Sequence, residues 1–190
     1  TGTKFVVLDA AAPVAIKNVA TLGAKVCYDR AFTVGKVATV SLPFALSAEE
    51  VEAAGKFYAL GGYNEGLVWF DETTTVEPNV PYVFVPAKEY PFETIADQGF
   101  VGVAEKSVVK GDATFKNFVE TTAIAGVYGI KDGEFVKVNS GTANPYRAVV
   151  ELAGEAPAKL AIALGTTGIN EIASENANAQ IYDLQGRRIQ

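Results

Sequence analysis

The sequence predicts an all-β fold, a sandwich or barrel-like architecture with one short helix. Three observations carry this. Short runs rich in Val, Phe, Tyr and Thr alternate apolar with polar residues, the two-residue period of a strand with one buried face. Clusters of Gly, Asp and Asn divide those runs where turns need them. One segment alone carries a strong helix-start signature.

In chain order the predicted strands are Lys4–Asp9, Ala24–Thr33, Lys36–Phe44, Lys56–Leu60, Leu67–Asp71, Tyr82–Pro86, Gly99–Ala104, Thr114–Thr121, Gly126–Ile130, Glu134–Asn139, Tyr146–Leu152 and Lys159–Leu164. Cys27 sits in the second, between Val26 and Tyr28, and is expected to be a small, buried, reduced core residue. The helix falls between the third and fourth strands. Ser47-Ala48-Glu49-Glu50 is a capping box, in which the Ser47 hydroxyl takes an amide of the first turn and Glu50 reaches back. Ala48–Ala54 continue the helix and Gly55 ends it. Gly61-Gly62-Tyr63-Asn64-Glu65-Gly66 reads as a hairpin loop. Lys131-Asp132-Gly133 reads as a tight hairpin turn, because Asp-Gly accepts positive φ.

A weak repeat runs through these elements. Lys56–Leu60, a hairpin, Leu67–Phe70 and then Pro81-Tyr82 are echoed by Gly126–Ile130, a hairpin, Glu134–Lys137 and then Pro145-Tyr146. Tyr58 matches Tyr128 in that alignment. The expected organisation is a β domain over 1–164, divisible into related units of about 1–110 and 111–164, then a linker over 165–180 and a strand over 181–190.

Composition narrows the function. The chain has 190 residues, 49 % of them hydrophobic, enough to bury a core without metal or disulfide staples. Its formal charge of −6 argues against nucleic acid and against anionic membrane surfaces. No run is long and apolar enough for a membrane span, so no membrane insertion is expected. The absence of histidine removes the commonest general base and metal ligand. A single cysteine forbids an internal disulfide. No signal peptide is visible and the sequence opens at Thr1, as expected of a processed or trimmed chain.

What remains for catalysis is carboxylates. Glu49, Glu50 and Glu52 read as a solvated acidic first turn favoured by the helix dipole, and Asp71-Glu72 as the start of a loop. No pair is marked out as a glycosidase's would be. Asn170–Asn178 is too poor in carboxylates for a calcium loop. The expectation is no enzyme, no catalytic residue, no metal and no cofactor. Aromatic residues are the better lead. Trp69 and Phe70 are adjacent in a strand and so face opposite sides of the sheet. One belongs to the core; the other is either exposed or covered by the Tyr90-Pro91-Phe92 loop. Trp69, or Tyr63 at the hairpin tip, is the candidate for stacking on a ligand ring.

The most specific segment is the last: Ile181, Tyr182, Asp183, Leu184, Gln185, Gly186, Arg187, Arg188 and Ile189, preceded by Thr167-Gly168-Ile169. Alternation makes it a strand with Gln-Gly at a turn and a basic pair that reads as a solvated end or a processing position. It closely resembles a truncated form of the C-terminal sorting tail of secreted Bacteroides- and Prevotella-like Bacteroidota proteins, used for type IX secretion. Ala38–Phe44 and Asn144–Ala148 are similar to stretches of large surface proteins of the same group. The resemblance implies an extracellular or cell-surface location and no activity. The expected function is a non-catalytic β module in surface adhesion or assembly, with a glycan-binding module or a polymerising filament subunit as alternatives. Its expected partners are a protein or glycan on a cell surface, or copies of itself, and the Ile181–Ile189 strand is expected to be ordered by β-pairing.

Overall fold

The computed structural model describes residues 4–9, 24–93, 101–131, 134–154, 157 and 159–165. The fold is mostly β, with one short helix. The first two strands, β1 (Lys4–Asp9) and β2 (Ala24–Asp29), form a small parallel sheet. Then come β3 (Ala38–Ser41), α1 (Ala48–Ala54), β4 (Gly55–Asn64), β5 (Leu67–Thr73) and β6 (Pro81–Pro86). The second half holds β7 (Ser107–Lys110), β8 (Ala113–Asn117), β9 (Thr122–Ile124), β10 (Val127–Lys131), β11 (Glu134–Val138), β12 (Gly141–Ala143), β13 (Ala148–Leu152) and β14 (Lys159–Leu164).

The helix has the limits and the cap that its sequence predicts. The Glu50 amide donates to Ser47 Oγ at 3.3 Å, and the Ser47 amide donates to Glu50 Oε2 at 2.8 Å. Gly55 follows with φ +145°, and a Cβ there would meet the Val85 carbonyl at 2.2 Å. Only glycine lets the helix turn directly into β4 against β6.

Ten strands form one curled sheet in the order β3-β6-β4-β5-β14-β11-β10-β13-β8-β7. The order β5-β4-β6-β3 is matched by β11-β10-β13-β8. In both quartets the second strand of the chain pairs with a hairpin partner on one side and with the fourth strand on the other, every pairing antiparallel. Strand β14 joins the quartets, parallel to β5 and antiparallel to β11. Tyr58 lies opposite Val83 in one quartet and Tyr128 opposite Val150 in the other. The two Pro-Tyr pairs are not equivalent. Tyr82 is inside β6, whereas Tyr146 precedes β13 with φ +67°.

Curling places the quartets against each other around a shared core of Tyr58, Leu60, Phe70, Val83, Phe115, Tyr128, Phe135 and Val150. Phe70 meets Phe115 at 5.3 Å and Phe135 at 5.7 Å between ring centroids, so the core is aromatic across the join. Thr39 closes the curl: its Oγ1 donates to the Ala148 carbonyl at 3.0 Å and accepts from the Ala148 amide at 3.1 Å. A second core covers the other face of β3, β6 and β4. It takes Phe57 and Phe84 from the sheet and Tyr28, Phe32, Val51, Phe92 and Val103 from the segments laid over it. Both faces of β6 are therefore buried.

Several expected strand limits move. The second and third strands end earlier than predicted, at Asp29 and Ser41. Residues 101–104 are not in a strand; their backbone is held by side chains, as described next. Strand β7 was not predicted. Cys27 is half-buried, not buried, because alternation on β2 turns its neighbour Tyr28 into the core instead.

Candidate functional site

The described residues contain no group of three or more His, Cys, Asp or Glu arranged to hold a metal ion. Their buried polar side chains secure backbone. Asn79 and Asn117 are 4 % and 6 % exposed. The Asn79 amide donates from Nδ2 to the Gly102 carbonyl at 3.0 Å and accepts at Oδ1 from the Ala104 amide at 3.1 Å. Asn117 donates from Nδ2 to the Ala104 carbonyl at 2.9 Å and accepts at Oδ1 from the Lys106 amide at 2.8 Å. Two side-chain amides thus stand in for the strand that residues 102–106 would otherwise pair with. Arg30 is also buried; its Nη1 donates to the Thr39 carbonyl at 2.9 Å while its guanidinium lies 4.1 Å from the Phe32 ring centroid. Burial pulls its pKa down to about 10, against a smaller opposing effect of Tyr28.

The predicted stacking residues lie on opposite faces of the β4–β5 hairpin. Tyr63 pairs with Val68, which is fully buried, and Tyr63 packs half-buried against the shared core. Trp69 pairs with Gly62 on the other face, while Phe70 is fully buried. In the Tyr90-Pro91-Phe92 loop, Phe92 packs on Phe84 and Phe32, and Tyr90 is 41 % exposed.

Trp69 is half-buried, belongs to none of the core clusters, and lies across a glycine pair. The strand register shifts between Leu60 and Gly62, a bulge that brings Gly61 and Gly62 beneath the same ring. A Cβ on Gly61 would fall 2.4 Å from Trp69 Cδ1, and one on Gly62 2.2 Å from Cζ2. The indole therefore fills the space of two missing side chains. Ala163 of β14 is its register partner on the other side.

Two clefts accompany this surface. One, of about 510 Å³, lies between α1 and the base of the β4–β5 hairpin, beside Val51, Glu52, Lys56 and Glu72. Lys56 and Glu72 form an exposed ion pair at 3.6 Å. The other, of about 480 Å³, lies near the end of the sheet beside Lys106, Ser107, Lys116, Phe118 and Glu120. It adjoins β7, the terminal strand, whose Val109 is 60 % exposed. Sequence reading missed this edge, although Lys110-Gly111-Asp112-Ala113 carries its signal: a Gly-Asp turn between two short alternating runs.

The segment Ile181 to Ile189, with Tyr182, Asp183, Leu184, Gln185, Gly186, Arg187 and Arg188, lies outside the described residues, as do the linker beyond Gly165 and the Asp132-Gly133 turn. No helix among the described residues is long and apolar enough to cross a membrane. Comparison with protein-family models, curated proteins and solved structures finds no match to the chain.

Proposed function

We propose that the chain is a non-catalytic β module of a secreted surface protein, of the kind its C-terminal resemblance implies, acting in adhesion or assembly. The observation that supports this is the β7 edge. On one side β7 pairs with β8; on the other, no strand among the described residues pairs with it. Open edges invite another strand, and natural proteins blunt them with charge or cover them. Here Val109 stands exposed between Val108 and Lys110. The fitting occupant is the Ile181–Ile189 segment of a neighbouring copy. Tyr182 and Leu184 give that segment an apolar face, and Asp183 supplies negative charge to an edge flanked by Lys106 and Lys110.

Sedimentation velocity over a wide concentration range tests the reading. The full-length chain is expected to self-associate as concentration rises, and Val109→Lys to stay monomeric. A chain that remains one monomeric species throughout, or a variant that associates like its parent, contradicts it.

A further inference from the structure

We propose that the outer face of the β4–β5 hairpin is a binding site for a neutral saccharide, with Trp69 as its stacking platform and Asp71 as its hydroxyl acceptor. The site is independent of the β7 edge and uses other strands.

The argument begins with the glycines. Gly61 and Gly62 let the indole lie flat along β4, which fixes its orientation. Ala163 beside it adds one methyl group and no bulk. The result is a rigid, shallow apolar surface on the face away from the shared core. A ring laid down only to cover backbone would need nothing polar at its rim.

This one has both a donor and an acceptor there. Trp69 Nε1 and Asp71 Oδ2 lie 2.6 and 2.7 Å from a single point, the position a Cβ on Gly61 would take. Among the described residues neither group has a hydrogen-bonding partner. A hydroxyl can donate to the carboxylate while its neighbour accepts from the indole N–H. The C–H face of a pyranose stacks on the ring at the same time. Few other ligands offer an apolar face rimmed by groups that both donate and accept.

Charge selects among saccharides. Asp71, with Glu65 at the hairpin tip, repels anionic polymers. Tyr63 takes no part, since it packs toward the core on the opposite face. The earlier choice between Trp69 and Tyr63 is thereby reduced to Trp69.

Trp69 is the sole tryptophan, so its emission reports the site directly. The full-length chain is titrated with soluble β-glucan, galactomannan, xyloglucan and heparin, and the same polymers are cast into native affinity gels. At least one neutral polysaccharide is expected to change the emission saturably and to retard migration, while heparin does neither. Trp69→Ala should abolish retardation with its circular dichroism unchanged. Asp71→Asn, which leaves the platform intact, should weaken binding by about tenfold, the loss of one charge-assisted hydrogen bond. No response to any neutral polymer overturns the proposal. So does retardation that survives in both variants, or a preference for heparin.

Discussion

Single residues show how far alternation can be trusted. Trp69 and Phe70 divide between the two faces as a strand requires, and Phe70 is the buried one. Cys27 obeys the same rule with a different outcome, because Tyr28 takes the inward position. Which of two neighbours turns inward depends on what lies opposite, and a single strand's pattern does not contain that. The half-buried thiol is restrained by charge as well as by position. Burial pushes its pKa up, and Asp29 and Glu93 push it further. Reaction with a thiol reagent should therefore be slow in the native state at neutral pH and rise with pH, following the thiolate fraction. Asp29→Asn should speed it at neutral pH. A rate independent of pH would show that access, not ionisation, is limiting.

Elements were legible where their signals are local. The capping box placed α1 to the residue, since a cap and its partner are three positions apart. The segment 99–104 has the composition of a strand, since its described part is Val101-Gly102-Val103-Ala104, but Gly102 takes φ +79° and breaks the extended backbone. It lacks a strand's partners because Asn79 and Asn117, distant in sequence, supply their amides instead. No alternation pattern announces that. The arrangement makes Asn117 unusually costly to remove. Asn117→Ala strips partners from the Ala104 carbonyl and the Lys106 amide, and should cost about 3 kcal/mol by denaturant unfolding. Asn79, which fastens Gly102 and Ala104, and the backbone amide of residue 117, which donates to the Lys106 carbonyl, should then hold the 102–106 segment. A loss well under half that size would mean that water replaces the side chain without penalty.

At the scale of the molecule, the two quartets share one core. The repeat was faintly visible in the sequence through Tyr58 and Tyr128, both central in their quartets. Its extent was not, because Pro81-Tyr82 and Pro145-Tyr146 align as letters and differ in register. The parallel joint made by β14 was also invisible, since strand pattern does not encode neighbours. A shared core implies a single unfolding transition. Phe70→Ala, which removes the ring that meets Phe115 and Phe135, should cost about 4 kcal/mol and lower the one transition without splitting it. Two separated transitions would show that the quartets stand alone.

The central proposal is that this fold offers its β7 edge to the 181–189 segment of another copy. Hydrogen exchange on the full-length chain, at low and high concentration, reads both sides of that contact at once. The account predicts that amides of Ser107–Lys110 and of the 181–189 segment become protected together as concentration rises, with β4 and β6 unchanged. Exchange at β7 that stays the same at every concentration, or protection of 181–189 without protection of β7, would contradict it.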